Sequence, residues 1–213
     1  MRAELDDFLH YCRVERRLAP LTCSAYERDV RACLTFLQRS GVDELGSVRV
    51  PDLRRFLADE SLHRVLLRSS HPVFCAGADL KEAATVDMVE AARRIIALQR
   101  AIADLPVPVV CRLDGPVRAG GLGLVASSDI VVCRDDVTFA LTEVRLGLAA
   151  AVISIPLRAR ISPRAASDWF LTGRSFGAAE AREQALVTHV LPADSVDAAV
   201  GRVLDDLRAG ARQ

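Results

Sequence analysis

The chain has 213 residues, enough for one large hydrophobic core or two small ones. Hydrophobic residues make up 51% and charged residues 26%, which is typical of a soluble globular protein. The 28 basic residues balance 28 acidic ones, so the net charge gives no reason to expect a nucleic-acid partner or an anionic membrane.

Targeting and membrane segments are not indicated. The N-terminus begins with charged residues, unlike a secretory signal peptide. The longest uncharged runs, such as Leu146–Leu157, are shorter than the ~18 apolar residues that a membrane helix needs. We therefore expect a cytoplasmic protein that does not associate with a membrane.

The cysteines do not suggest a metal site or a disulfide framework. They form no C-x-x-C pair and have no histidine at metal-ligand spacing, so we interpret them as small buried side chains in a reducing compartment. The set is Cys12, Cys23, Cys33, Cys75, Cys111 and Cys133.

The first 60 or so residues predict helices only. Leu5, Phe8, Leu9 and Cys12 share one face of an amphipathic helix, which Pro20 interrupts. Thr22 is a plausible N-cap for a second, longer helix with an apolar face, and Gly41 is typical of its C-terminal end. A third, short helix is predicted to open at Pro51 and to carry Leu53, Phe56 and Leu57.

After Ser61 the pattern changes to alternating strands and helices, which favours an α/β fold. Apolar runs predict the strands, a long periodic segment predicts one helix, and Asp194 or Ser195 is a candidate cap for the last helix. Trp169 lies in a helical segment and is interpreted as a core residue. The predicted strands are 65–67, 106–111, 129–133 and 137–140, and the long helix is 86–104.

Two segments are rich in small residues. The first, F-C-A-G-A-D-L-K at 74–81, contains Gly77, which permits a tight turn that exposes the next amide. The second, D-G-P-V-R-A-G-G-L-G-L at 114–124, runs from a strand into a helix, where unpaired N–H groups and the positive dipole end face any nearby oxygen. Either segment alone is more often a simple turn.

In this order and spacing, the two segments resemble the enoyl-CoA hydratase/isomerase (crotonase) family. The resemblance continues through S-D-I-V-V, F-A-L-T-E-V-R-L-G, L-T-G-R and A-L-V, and covers about Val65 to Leu191. It implies a spiral of ββα units that binds a coenzyme A thioester as substrate, with no metal and no redox cofactor.

The resemblance also implies a site. The peptide N–H groups of Ala78 and Gly120 would form an oxyanion hole for the thioester oxygen, and such donors are each worth roughly 10²–10³ in rate. The neighbouring backbone would line the pocket for coenzyme A and the acyl group. Its predicted residues are Ala76, Asp79, Leu80 and Gly121.

The catalytic side chains depart from the family pattern. Family hydratases use two glutamates, but here the first position is Gly123 and only the second, Glu143, carries an acid. Burial near apolar residues would raise the pKa of Glu143 toward the operating range of an acid/base. The alternative is a helix N-terminal acid that complements the dipole. A single glutamate favours isomerase-like or non-standard chemistry over efficient hydration.

Residues Phe8 to Glu60 resemble another family, the N-terminal core-binding (SAM-like) domain of Xer-type tyrosine recombinases. The resemblance rests on L-D-D-F-L-H-Y, L-A-P-L-T, A-Y-E-R-D-V and D-L-R-R-F-L. In that family the domain clamps DNA, but the catalytic domain with its tyrosine nucleophile is missing here, so we do not expect recombination. Acids are as frequent as arginines, so DNA binding would be weak at most.

The sequence therefore predicts a helical SAM-like segment at 1–60 and a crotonase-like acyl-CoA domain at 62–213. Compared with the family, the second part is shortened at both ends, and the exposed apolar surface would favour a homo-oligomer. Two functions stay open. One is an acyl-CoA enzyme that uses Glu143, and the other is an inactive fusion product that binds DNA weakly at most.

Overall fold

The computed structural model describes residues 2–15, 20–42, 64–77 and 88–210. The chain divides into two compact units, Met1–Leu62 and His63–Gln213. Among the described helices, none is both long and apolar enough to cross a membrane.

The described part of the first unit is helical. Helix α1 (Arg2–His10) continues into a π-helical turn (Tyr11–Glu15), and α2 spans Pro20–Arg39. Leu5, Leu9 and Leu34 are buried together, which confirms most of the predicted apolar faces of the two helices. Phe8 is 37% exposed, so its prediction as a member of the buried face was wrong. The predicted third helix, with Pro51, Leu53, Phe56 and Leu57, lies outside the described residues.

The two ends of α2 differ in how well the sequence predicted them. The helix begins at Pro20, so the prediction of an N-cap at Thr22 was wrong. Proline suits the first helical position because its φ is already helical and no N–H is needed there. Gly41 ends the helix as predicted, with φ +79 and with the Val42 N–H donating to the Leu37 carbonyl at 2.9 Å.

The second unit contains two small sheets surrounded by helices. A four-stranded parallel sheet has the order β1-β2-β4-β7, and a three-stranded sheet has the order β3-β5-β6, with β6 antiparallel. Its elements are β1 Val65–Leu67, α3 Met88–Ala103, β2 Val109–Leu113, β3 Val117–Arg118, α4 Gly120–Ser127, β4 Ile130–Arg134, β5 Thr138–Ala140, a 3₁₀ helix Thr142–Leu146, α5 Ala151–Arg160, α6 Pro163–Thr172, β6 Ser175–Gly177, α7 Ala178–Glu183, β7 His189–Leu191 and α8 Val196–Ala209.

The predicted elements are present, with shifted ends. Strand β2 begins at Val109 rather than at Pro106, because prolines have no N–H to donate within a sheet. Strands β6 and β7 were not predicted, since each has only three residues. Ser195 occupies the N-cap position of α8, but its hydroxyl donates to Asp194 at 2.9 Å instead of capping the helix, so that detail was wrong.

The parallel sheet buries both of its faces. On one face, Val110 and Val132 pack against Val196 and Val200 of α8. On the other face, the main core extends from the strands to Trp169, which is fully buried, as predicted. The Trp169 indole stacks on Phe176 with ring centroids 3.8 Å apart.

The sequence predicted buried cysteines and an exposed apolar surface. All six cysteines are free, and four are buried, whereas Cys33 and Cys75 are half-buried and so only partly fit the prediction. Large apolar side chains are exposed on the second unit, the most exposed being Ile155 at 80% and Leu171 at 76%. The homo-oligomer stays a prediction.

Candidate active site

The two small-residue segments lie side by side. Cys75 pairs in parallel with Val117, and the Arg118 N–H donates to the Cys75 carbonyl at 2.8 Å. The Phe74 N–H donates to the Pro116 carbonyl at 3.1 Å. Residues that are about 40 positions apart in the sequence therefore form one backbone surface.

Small side chains make this approach possible. A Cβ atom on Gly121 would lie 2.5 Å from the Cβ of Cys75, so only glycine fits at this point of helix α4. Gly77 has φ +98, and a Cβ there would lie 3.1 Å from that of Ala119. The small residues thus bring the turn at Gly77 against the start of α4.

Helix α4 begins without a side-chain cap. The N-cap residue Ala119 offers no side-chain acceptor, and its own N–H donates to the Ala140 carbonyl at 3.1 Å. The Gly120 N–H lies in the first turn, where an α-helix has no internal acceptor. The positive end of the helix dipole lies at this N–H, and its role as a donor to a thioester oxygen stays a prediction.

The other predicted backbone donor is not described. Ala78, Asp79 and Leu80 lie outside the described residues, so their roles stay predictions. Ala76 is exposed directly before Gly77, and Gly121 is buried behind Gly120. Their contribution to a coenzyme A pocket also stays a prediction.

Ala119 has a backbone conformation that favours glycine, with φ 49 and ψ −124. We expect Ala119→Gly to raise the free energy of unfolding by about 1 kcal/mol, because released strain exceeds the added entropy of the unfolded chain. Urea denaturation measures the change. The matched control is Ala97→Gly on the exposed side of α3, which should lose about 1 kcal/mol. A similar loss in both variants would show that Ala119 is unstrained.

Glu143, the predicted acid/base, lies among the described residues. It lies in the 3₁₀ helix that follows β5, and Gly147 ends that helix in a left-handed conformation. Its Oε2 atom is buried, and it has no hydrogen-bond partner in the described part of the chain. Burial raises the pKa of Glu143 above its ordinary value, against a smaller opposite effect from its own backbone.

The second sheet pairs the strands that precede Gly120 and Glu143. In the β3–β5 pair, Arg118 is in register with Ala140. Gly120 follows Arg118 by two positions and Glu143 follows Ala140 by three, and three residues span at most about 11 Å. The strand pairing therefore gives the segments that lead to Gly120 and to Glu143 neighbouring starting points.

Gly123 occupies a closed position on α4. A Cβ atom there would lie 2.5 Å from Nε2 of Gln99 and 2.7 Å from Cγ2 of Ile153. The place of the family's first glutamate is thus filled by residues from α3 and α5. Sequence reasoning missed Gln99, although it lies on the inward stripe of α3 between Ile95 and Ile102.

Two family models match the chain. The chain belongs to the enoyl-CoA hydratase/isomerase family, whose model matches residues 40–212. A second model, the N-terminal SAM-like domain of phage integrases, matches residues 5–70. Both resemblances found in the sequence are therefore confirmed, and the two matches overlap at residues 40–70.

A solved relative supports the crotonase-type α/β fold of the second unit. The crystal structure of an enoyl-CoA hydratase from Mycobacterium avium is 40% identical, with a TM-score of 0.68. The match covers 76% of this chain and 63% of that chain.

Curated relatives have several activities. The chain is 32% identical to a (7aS)-7a-methyl-1,5-dioxo-2,3,5,6,7,7a-hexahydro-1H-indene-carboxyl-CoA hydrolase of Mycobacterium tuberculosis, over 71% of this chain and 62% of the relative. It is 31% identical to 4-chlorobenzoyl coenzyme A dehalogenase-1 of an Arthrobacter species, over 74% and 60%. The chain spans 48–62% of the length of the curated relatives compared here.

Proposed function

We propose that the chain binds an acyl-CoA thioester and moves a proton at the carbon next to the thioester carbonyl, with Glu143 as the acid/base. The observation that carries the proposal is the buried Oε2 of Glu143, which has no partner in the described residues and whose pKa is raised by burial. A carboxylate in such surroundings is a functional-site candidate, because a structural acid would normally be paired.

The proposed step is a proton transfer between the α-carbon of the thioester and Glu143. The Glu143 carboxylate takes the proton from the α-carbon, and the electron pair moves onto the thioester oxygen as an enolate. The Gly120 N–H, and by family resemblance that of Ala78, donate to this oxygen. Protonated Glu143 then returns the proton, either to the same carbon or, in a 3-enoyl thioester, to the carbon at the far end of the shifted double bond.

Hydration is disfavoured by the closed position at Gly123. Adding water with two carboxylates needs a second acid, and Gln99 and Ile153 fill the place where it would stand. The relatives named a hydrolase and a dehalogenase are compatible with this, since family membership alone does not specify hydration. We therefore propose isomerase-like proton transfer, without a metal or a redox cofactor.

The proposal is tested with butyryl-CoA in D₂O. This saturated thioester has no double bond to hydrate or move, so loss of its α-proton NMR signal reports proton transfer alone. We expect exchange at least about 10²-fold above buffer, the lower end of general-base catalysis. Exchange at the buffer rate, with no binding by calorimetry, would contradict the proposal.

The second candidate is an inactive fusion product that binds DNA weakly at most, and the SAM-like match is the observation in its favour. Against it, Arg13 and Arg31 both pair with Glu27, at 3.2 and 2.8 Å, which reduces their availability to phosphates. Salt-dependent retention on duplex DNA, without any response to butyryl-CoA, would support this candidate over the enzyme.

A further inference from the structure

Gln99 is unusual among the buried polar residues that the structure describes. It is 5% exposed, and its Nε2 atom has no hydrogen-bond partner there. The other three, Arg112, Ser127 and Ser128, all have partners: carboxylates for the arginine and carbonyls of α4 for the serines. A buried donor without a partner costs stability, so its presence calls for a ligand or a function.

The position of this donor is informative. Nε2 of Gln99 lies 2.5 Å from the point where a Cβ of Gly123 would be. Gly123 follows Gly120 by three residues on α4, which is about 4.5 Å along the helix axis. The amide of Gln99 therefore contacts α4 less than one helical turn after Gly120, the proposed donor to the thioester oxygen, and the apolar Ile153 lies beside it.

We propose that Gln99 is a specificity-determining residue that donates a hydrogen bond from Nε2 to an oxygen on the acyl group of the bound thioester. This inference rests on the proposed function and names its substrate class. The preferred acyl-CoA carries an oxygen acceptor beyond the thioester carbonyl. A plain hydrocarbon chain leaves the donor unpaired and is therefore bound less tightly.

The chemistry of the amide defines its role. A carboxamide does not titrate near neutral pH, so Gln99 neither takes nor gives a proton. The amide also carries no charge. Its N–H group can therefore donate to a ketone, hydroxyl or carboxylate oxygen, and an anionic group is not repelled as it would be by a glutamate. Gln99 thus selects the substrate, while proton transfer stays with Glu143.

The test compares acetoacetyl-CoA, which has an oxygen on its third carbon, with butyryl-CoA, which does not. Calorimetry on the full chain should show about tenfold tighter binding of acetoacetyl-CoA. Leucine is similar in size to glutamine but has no donor. In Gln99→Leu, the dissociation constants of acetoacetyl-CoA and butyryl-CoA should therefore agree within about twofold, because only acetoacetyl-CoA binds more weakly than to the wild type. The control Gln38→Leu, on the exposed side of α2, should keep the wild-type ratio.

Each other outcome has a definite meaning. An unchanged ratio in Gln99→Leu, or no preference in the wild type, overturns this inference and leaves the proposed function standing. If neither thioester binds the wild type, the proposed function falls as well. Gln99→Leu without ligand should unfold at the same temperature as the wild type or higher, and a lower temperature would show that Nε2 has a structural partner.

Discussion

Replacing Glu143 with glutamine is expected to slow α-proton exchange of butyryl-CoA by about 10²–10⁴-fold, the usual contribution of a general acid/base. Glutamine keeps the shape of the side chain but cannot accept the proton. The dissociation constant of butyryl-CoA should change by less than about threefold, because the substitution leaves the proposed backbone donors to the thioester oxygen in place. NMR exchange rates and calorimetry measure the two effects separately.

The pH dependence of the exchange rate provides a second test of Glu143 as the base. Only the ionised carboxylate accepts a proton, and burial raises the pKa of this group above 4.5. The exchange rate of the wild type should therefore rise with pH through that raised pKa and then level off. A rate that is constant from the ordinary pKa of glutamate upward would contradict the assignment of Glu143 as the base.

The same shift predicts how stability changes. Since the folded-state pKa is raised, the native protein holds this proton more tightly than the unfolded chain does. The contribution of Glu143 to stability is thus fully present below the unfolded pKa and is lost as pH rises through the folded pKa. Glu143→Gln should equal or exceed the wild type in stability at neutral pH. A variant that loses both activity and stability would indicate a structural role.

Gly115→Ala is expected to lower the free energy of unfolding by about 3 kcal/mol, at the upper end for an added group in a packed interior. A Cβ atom there would lie 1.7 Å from the carbonyl oxygen of Pro72, a backbone atom that cannot rotate away. To relieve this clash, the segment 72–77 would have to move away from the start of α4. Butyryl-CoA exchange should therefore fall as well.

Gly201→Ala is the matched control for this variant. Gly201 lies within α8, and a Cβ atom there would meet nothing within 4 Å. Alanine is a better helix former than glycine, so this variant should gain up to about 1 kcal/mol. Urea denaturation of both proteins gives the comparison. A loss of less than about 1 kcal/mol in Gly115→Ala would mean that the Pro72 turn shifts at little cost.

The sequence predicted the longer helices well, since hydrophobic periodicity indicated α1, α3 and α8. The small residues at 74–77 and 115–121 predicted backbone that a ligand can approach closely, whereas the contact between the two segments became visible only in the fold. The prediction that Glu143 is the acid/base came from a family motif rather than from its local pattern, since an acid after a strand is more often a charge at the N-terminus of a helix.

The start of α2 shows where local patterns mislead. Threonine is favoured at an N-cap, whereas proline is favoured at the first helical position, so the two residues predict different starts for the helix. The helix begins at Pro20. Ser195 is a second example, since its hydroxyl donates to Asp194 rather than accepting from the helix. Such choices depend on small energy differences that packing easily reverses.

By itself, the sequence determined the family, the α/β class of the second unit and the presence of one carboxylate where the family has two, because these follow from residue identity and periodicity along the chain. Only the tertiary structure decided what fills the place of the missing acid. Gln99 and Gly123 are distant in sequence, and their contact depends on how α3 packs against α4. Burial is likewise a property of packed neighbours. Only the folded chain therefore shows that Nε2 of Gln99 and Oε2 of Glu143 are buried without a partner among the described residues.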